Sequence, residues 1–272
     1  MTRITFLGTG EAFDPDRTTT SYLIQNSQGC IMVDCGYDAS KSLMRFLKKR
    51  NQSLADVPDV LLLTHEHGDH FGGIPALLMP IWEEVNGIVG NRKNGIGRKI
   101  TIASAHSYLL DRVQETMEGD YKGFFERFKR EGPDISLKVI NRDGDKLLGY
   151  DITAAETSHG ARNFAYRFQI TGENSFAISG DGAFTDNSQK LYRGVGFLIH
   201  EGFNVMGSGG KNHASIEQVV DYAIAEGIPK VAIVHVNREE RNKVESVRTL
   251  KQRAREKGVE VFLPDDHDTF NP

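Results

Sequence analysis

Short apolar runs that end in Gly, Asp or His recur along the chain and predict alternating strands and helices. Strands are predicted at residues 4–7, 22–25, 31–34, 60–63, 100–103, 137–140, 150–157, 165–170, 175–178, 231–234 and 259–263. Apolar residues at three- and four-residue spacing predict helices at 40–49, 74–85, 107–117, 216–225 and 240–257. This order of elements is typical of an α/β fold.

Four metal-binding residue types follow the apolar run 60–63 within six positions: His65, His67, Asp69 and His70. In an extended segment, residues two apart point to the same side, so His65 and His67 can share one cation. Asp69 and His70 follow where the chain turns and would reach a second cation. Imidazole and carboxylate groups are rarely crowded in this way without a metal to offset them. The motif therefore predicts a metal site at the C-terminal end of a buried strand.

The H-x-H-x-D-H cluster resembles the signature of the metallo-β-lactamase-fold hydrolases. The resemblance implies a four-layer αββα sandwich with a dinuclear metal site at the edge of its two sheets. We expect residues 1–272 to form one such domain, with a loop and helix insertion at about 86–133. The four strands predicted between residues 137 and 178 are expected to lie in the second sheet.

Three residues at predicted strand ends match the remaining ligands of this superfamily. They are His159 in T-S-H-G, Asp181 in S-G-D-G and His235 after the apolar run 231–234. The resemblance implies that one ion is held by His65, His67 and His159, the other by Asp69, His70 and His235, and that Asp181 bridges both. It also implies a metal-bridging hydroxide as nucleophile. Zinc is the expected metal, with manganese and iron as alternatives. For Asp34, hydrogen bonding to a ligand loop and a plain turn role both stay open.

Two further segments resemble the ribonuclease Z-like phosphodiesterase branch. The chain opens with F-L-G-T-G at residues 6–10, and H-E-G-F at 200–203 is followed by N-H-A-S at 212–215. In that branch a Glu-paired His assists the leaving oxygen, which implies that His213 is a general acid and Glu201 its partner. We group both with Asp69 as expected catalytic residues. The alternative is that His213 belongs to the N-cap region of the helix at 216–225.

The resemblance to ribonuclease Z fails at one place. The common bacterial form carries a long tRNA-binding arm between the His and Asp ligands, but only a short strand pair is predicted between His159 and Asp181. We therefore expect an anionic small molecule or a short nucleic acid as the phosphodiester substrate. The open alternatives are a thioester, lactone or sulfate ester hydrolase of the same fold, or a protein that binds metal or ligand without turnover. Neither cysteine lies near Asp181, which argues against antibiotic hydrolysis.

Composition adds little about partners. Of the 272 residues, 39% are hydrophobic and 26% are charged. The net charge of −4 does not indicate an extended nucleic-acid-binding surface. No apolar run reaches membrane-spanning length and residues 1–6 lack a secretory apolar core, so we expect a cytoplasmic protein without a membrane partner. A homodimer is suggested by family analogy only. Cys30 and Cys35 flank a strand, about 16 Å apart, and are expected to stay reduced.

Several other aromatic residues and histidines are expected to have structural rather than catalytic roles. The aromatic spacing at 121, 124, 125 and 128 predicts a helical stripe that packs on the domain or on a second subunit, with a substrate-binding cap as the alternative. Trp82 is expected in the core, with contact to substrate near the cleft as the alternative. Of the other histidines, His106 is expected at a helix start or on the surface, His200 to support a strand and His267 to be a tail residue.

Overall fold

The computed structural model describes residues 1–86, 88, 98–170, 172 and 174–272. Among these residues, the strands are β1 (Arg3–Gly8), β2 (Ser21–Asn26), β3 (Gly29–Val33), β4 (Val60–Leu62), β5 (Lys99–Ser104), β6 (Asp134–Val139), β7 (Asp145–Leu147), β8 (Tyr150–Glu156), β9 (Phe164–Gln169), β10 (Phe176–Ile178), β11 (Phe197–Glu201), β12 (Lys230–Val234), β13 (Glu260–Phe262) and β14 (Thr269–Phe270). The helices are α1 (Ala39–Lys49), α2 (Gly68–Phe71), α3 (Ile74–Val85), α4 (Ser107–Asp120), α5 (Phe124–Glu131), α6 (Asp186–Tyr192), α7 (Ile216–Glu226) and α8 (Val244–Glu256). None of these described helices has the length and hydropathy needed to cross a bilayer. The first part of the insertion predicted at about 86–133, residues 86–98, lies almost wholly outside the described residues.

The described strands form two mixed sheets. The first has the order β14-β1-β2-β3-β4-β5-β6, and the second has the order β13-β12-β11-β10-β9-β8-β7. Neighbouring strands are parallel from β3 to β6 and from β10 to β13. Their other neighbours are antiparallel. The two halves of the chain therefore repeat one arrangement, a meander followed by parallel strands with helical connections.

Three apolar clusters separate four layers. One packs the first sheet against α1, α3, α4 and α5, the second fills the space between the sheets, and the third packs the second sheet against α6, α7 and α8. In β4, Leu61 belongs to the cluster under the helices, whereas Val60 and Leu62 face the other sheet. This is the two-residue alternation of a strand that is covered on both faces. The predicted αββα sandwich is confirmed.

One strand lies in a different sheet from the one predicted. The run at 137–140 was expected in the second sheet, but β6 pairs in parallel with β5 at the edge of the first. The helices α4 and α5 connect these two strands, so the chain makes a β-α-β connection and returns to the same sheet. The prediction is wrong because an apolar run identifies a strand without indicating which partner it takes.

The expectation for His267 is also wrong. Its backbone N–H donates to the Phe6 carbonyl at 2.6 Å, and its Nε2 lies 2.9 Å from Ser42 Oγ. Two residues later, β14 pairs antiparallel with β1. The segment around His267 is therefore part of the first sheet's edge rather than a free tail.

The predicted aromatic stripe packs on the body of the protein. Phe124 and Phe128 are buried in the cluster beneath the first sheet. The Phe128 ring lies 6.4 Å from that of Trp82, which is partly buried against the same cluster. These contacts support packing within the chain over a role as a cap.

Both cysteines are free and buried, as expected. Burial raises the pKa of the Cys30 thiol to about 12, and it raises the pKa of Cys35 further. The thiolate is the reactive form of cysteine, so both side chains are inert apolar groups at neutral pH.

Candidate active site

The H-x-H-x-D-H residues leave β4 at its C-terminal end. His65 follows the strand, His67 has extended backbone angles just before α2, and Asp69 and His70 lie within that helix. The turn into the helix lets one short segment supply side chains to two neighbouring positions. The apolar run thus anchors the segment between two layers while its polar end faces outward at the edge of the sandwich.

The other three predicted ligands come from the second sheet. His159 follows β8, Asp181 follows β10 and His235 follows β12. The structure brings all seven side chains together although they span 171 positions of sequence from 65 to 235. Two groups of four have ligand atoms within 4.8 Å of one another, namely His65, His67, His159 and Asp181, and Asp69, His70, Asp181 and His235, and a third group of three beside them contains Glu201, His213 and His235. The two groups of four match the assignment implied by the resemblance.

Asp181 belongs to both groups. Its Oδ1 lies 3.3 Å from His70 Nε2, and its Oδ2 lies 3.4 Å from His235 Nε2 and 3.8 Å from His65 Nε2. Gly180 has a φ of 59°, and a side chain there would approach Asn163 Oδ1 to 2.4 Å. Glycine is therefore required for the turn that presents this carboxylate.

The buried donor atoms fit a pair of divalent cations. His65 Nε2, His70 Nε2 and Asp181 Oδ1 are buried and make no hydrogen bond to the described residues. Leaving buried polar atoms unpaired is costly, and such atoms at a His and Asp cluster are the expected ligands of a metal. Imidazole nitrogen and carboxylate oxygen suit zinc, and also manganese and iron. The residues present thus fit the metal centre that the resemblance implies.

The electrostatics of the cluster also fit a cation. Burial lowers the pKa of His65 well below its usual value, which leaves a neutral imidazole with a free lone pair. Burial opposes protonation of His70 as well, but the carboxylates of Asp181 and Asp69 outweigh it and raise the pKa of His70. The cluster therefore holds protons where metal would bind, and metal binding should release them.

Hydrogen bonds orient the ligands on their outer side. Asp34 Oδ2 accepts from His70 Nδ1 at 2.7 Å, and Asp34 Oδ1 accepts from the Thr64 backbone N–H at 2.8 Å. His159 Nδ1 donates to the Asn212 carbonyl at 2.8 Å. Each bond leaves Nε2 of the imidazole for a cation and fixes the ring. Asp34 thus has the orienting role that was one of its two predicted readings.

Gly36 controls how closely the ligand segment packs. A Cβ at this position would lie 1.9 Å from the Asp69 carbonyl oxygen and 2.3 Å from Thr19 Oγ1. Any side chain would therefore push the segment that carries Asp69 away from the first sheet.

The substitution Gly36→Ala should lower the free energy of unfolding of the metal-free protein by about 1–3 kcal/mol, because it overpacks a buried contact with backbone. It should also weaken metal binding. Gly119→Ala is the matched control, since a Cβ in this α4 position meets nothing within 4 Å and should stabilise the helix by about 0.5–1 kcal/mol. Urea unfolding of both variants measures their free energies of unfolding. Equal values for the two variants would contradict the close contact between Gly36 and the Asp69 segment.

Glu201 and His213 form a pair beside the cluster. His213 Nδ1 lies 3.1 Å and 3.2 Å from the two Glu201 carboxylate oxygens. Glu201 is fully buried at the end of β11, where it also accepts backbone N–H groups from Gly182 and Ala214. Burial lowers the pKa of His213, but the hydrogen bond and charge of Glu201 outweigh this, so the net pKa is raised.

His213 lies two residues before the N-cap of α7, in the predicted N-cap region, but it is not the capping residue. Ser215 is the N-cap of α7, and its side chain accepts from the Gln218 backbone in a capping box. The His213 ring instead stacks on Phe203, with centroids 4.4 Å apart, and meets the His159 ring edge to face at 4.9 Å. These contacts place His213 over the candidate metal cluster.

One cavity of about 310 Å³ connects these features. It is lined by Glu11, Ala12, Phe13, His67, Asp69, His159, Asp181, Phe203, His213, His235, Asn237 and Arg238. Five residues of the candidate metal cluster and His213 share this lining. The residues from 11 to 13, together with Arg238, were missed by sequence reasoning because they lie in segments with no periodic pattern.

Asn163 was also missed. It is fully buried, its Oδ1 accepts from the Asp181 backbone N–H at 3.2 Å, and its Nδ2 donates to the Ser179 carbonyl at 2.9 Å. The amide therefore holds the loop that presents Asp181. A polar residue shortly after His159 in the sequence is the only signal that pointed to it.

The chain is similar in sequence to ribonuclease Z and Apyc1 proteins. A family model described as Anti-Pycsar protein Apyc1 matches residues 2–84. Ribonuclease Z of Clostridium novyi is 38% identical over 82 residues, which cover 30% of this chain and 25% of that protein. The Apyc1 protein of Paenibacillus sp. is 30% identical over 117 residues, covering 43% and 41%. Ribonuclease Z of Natronomonas pharaonis aligns over 99% of this chain and 97% of its own length at 24% identity.

The matched region thus spans about a quarter of the first of these curated relatives. Solved structures match over the whole chain. YhfI from Bacillus subtilis, a metallo-β-lactamase-fold protein, has a TM-score of 0.74 at 17% identity, with 99% of this chain and 98% of that chain covered. The short form of human tRNase Z has a TM-score of 0.70 at 20% identity, with the same coverage. The chain therefore has the metallo-β-lactamase fold, and segments of its sequence are similar to ribonuclease Z and Apyc1 proteins.

Proposed function

We propose that this protein is a dinuclear metal-dependent hydrolase that cleaves phosphodiesters. The observation that carries the proposal is the pairing of His213 with the buried Glu201 beside a cavity that is lined by five residues of the seven-residue His and Asp cluster. The names of the relatives agree with it, since they include ribonuclease Z and the zinc phosphodiesterase ELAC protein 1. Those proteins match over short segments, so the activity of this chain rests on its own site.

Each side of the cluster would hold one cation, and Asp181 would contribute an oxygen to both. Bound divalent cations would polarise the phosphate oxygens and lower the pKa of the attacking water. The donor set favours zinc, with manganese and iron as alternatives. Asp69 would bind the second cation. Its Oδ2 lies 3.3 Å from His235 Nε2, so both side chains can reach the same ion.

His213 would supply the proton that the leaving group needs. Breaking the P–O bond of a diester expels an alkoxide, which is a poor leaving group unless it is protonated as it departs. Because His213 Nδ1 faces Glu201, the Nε2–H of the protonated ring is the group left to donate into the cavity. The Glu201 carboxylate stabilises the protonated ring and fixes its orientation.

The substrate should be a small anionic phosphodiester. Two divalent ions exceed the charge of the two carboxylates in the cluster, so the cavity would attract anions. Between His159 and Asp181 the chain runs through the antiparallel pair β9 and β10, with Phe168 opposite Phe176. This connection is a hairpin, which supports a cyclic nucleotide, a cyclic phosphate or a short nucleic acid over a large folded RNA.

The test is hydrolysis of bis(p-nitrophenyl) phosphate by protein of known metal content, beside phosphomonoester, thioester, lactone and sulfate ester substrates. We expect preferential diester cleavage that disappears with a chelator and returns with zinc or manganese. Turnover of a different ester by fully metallated protein, without diester cleavage, would replace the proposal with another hydrolase of this fold. No turnover of any substrate would favour a binding protein.

A further inference from the structure

An exposed aromatic side chain lies at the mouth of the cavity. Phe13 leaves 75% of its surface exposed, more than any other described Phe, Tyr or Trp, and it lines the same cavity as His67 and His213. A single exposed aromatic residue is ordinary on a protein surface. At the rim of a candidate active site, however, it offers a flat apolar face to whatever enters.

The loop that carries Phe13 is fixed by buried acidic groups. Glu11 is only 2% exposed, and its Oε2 accepts the Phe13 backbone N–H at 2.8 Å. The neighbouring Asp14 forms an ion pair with Arg241, and the Asp14 side chain is buried. These interactions hold the loop in place from both sides of Phe13, so its ring is presented by a built framework rather than by a loose tip.

Arg238 lies beside Phe13 in the same rim. Its Nη1 donates to Glu11 Oε1 at 2.6 Å, and its guanidinium carbon lies 5.8 Å from the Phe13 ring centroid. The buried Glu11 thus positions both residues at once. Arginine has five N–H donors; Nη1 bonds Glu11 and Nε lies 4.0 Å from Glu239 Oε1, so neither carboxylate engages Nη2. The half-exposed guanidinium therefore has further donors for an acceptor within the cavity.

We propose that Phe13 and Arg238 form a nucleoside subsite, in which a nucleobase of the substrate stacks on Phe13 and Arg238 donates to acceptor atoms of the same nucleotide. This inference rests on the proposed phosphodiesterase function and adds the residues that select the substrate. Stacking on an aromatic side chain is available to every base, so the subsite favours nucleotides over alkyl esters without choosing among bases. The guanidinium adds charge-assisted hydrogen bonds beside the ring.

Two substrates with one leaving group test the subsite. Thymidine 5′-(p-nitrophenyl) phosphate and methyl p-nitrophenyl phosphate differ only in the group that stays on phosphorus. We expect the protein to prefer the thymidine ester in kcat/KM and Phe13→Ala to reduce that preference by about tenfold or more, with the methyl ester changed by less than about twofold. Phe13→Trp should keep the preference and Arg238→Lys should weaken it.

The control is Tyr108→Ala, which removes an exposed aromatic side chain that does not line this cavity. It should leave both rates unchanged. If Phe13→Ala lowers the two rates equally, Phe13 supports the loop and the subsite is refuted. If the unaltered protein hydrolyses neither ester, the phosphodiesterase proposal fails. The subsite is then tested by nucleotide binding alone.

Binding is measured by calorimetry with adenosine 5′-monophosphate and ribose 5-phosphate, which carry the same phosphate with and without a base. The nucleotide should bind more tightly to the unaltered protein, and Phe13→Ala should bring the two dissociation constants together. An unchanged ratio would overturn the stacking role of Phe13 whether or not the protein is a phosphodiesterase.

Discussion

The substitution Asp181→Asn should lower kcat/KM for bis(p-nitrophenyl) phosphate by about a thousandfold or more and reduce the bound metal to at most one ion per chain. The reason is the position of this carboxylate between the two ligand groups, with one oxygen 3.3 Å from His70 Nε2 and the other 3.4 Å from His235 Nε2. Asparagine keeps the shape but replaces one oxygen with an amide nitrogen and removes the negative charge.

Metal content and rate should be measured on the same preparations. The control is Asp186→Asn, an exposed carboxylate in the first turn of α6 that lies five positions further along the chain. It should keep both the metal and the rate. If Asp181→Asn retained two ions and a rate within about tenfold of the unaltered protein, the shared-ligand role of Asp181 would be wrong.

Removing the proposed acid should also have a large effect. His213→Ala should lower the rate of diester hydrolysis by about a hundredfold to ten-thousandfold while the bound metal is retained, because both groups of four ligands are complete without His213, which groups only with Glu201 and His235. The loss should be greatest for substrates with a poor leaving group, such as a nucleoside alkoxide. It should be smaller for p-nitrophenolate, which departs without much help from a proton.

The comparison of leaving groups separates an acid from a structural residue. Glu201→Gln should show the same dependence with a smaller loss, since the ring keeps a hydrogen-bond partner but loses the carboxylate at 3.1 Å. His106→Ala serves as the control, because His106 does not line the cavity. Equal losses for good and poor leaving groups, or loss of metal from His213→Ala, would show that His213 holds the site together instead.

The sequence predicted those parts of the site that are local. His65 and His67 are two residues apart in an extended segment, so their side chains point to the same side. Asp69 and His70 follow in the next turn, so backbone geometry alone brings the four side chains close together. His159 and His235 were different. Each is an ordinary strand-end residue in isolation, and only the resemblance to a known family joined them to the cluster.

What the sequence could not supply was pairing over long distances. Glu11 and Arg238 are 227 positions apart, and nothing in either segment indicates that a buried carboxylate meets a guanidinium at the cavity rim. The same limit explains the misplacement of β6, since an apolar run forms a strand in either sheet and the helices before it decide which one it joins. Tertiary contacts, rather than local pattern, determine both features.

Metal stoichiometry tests the dinuclear site most directly. The metal-free protein would be dialysed to equilibrium against zinc, its bound metal counted by mass spectrometry, and its diester hydrolysis measured at each loading. A site built from the seven His and Asp residues predicts saturation at two ions per chain, with hydrolysis rising until the second ion binds. Saturation at one ion, or full hydrolysis by protein with none, would contradict it.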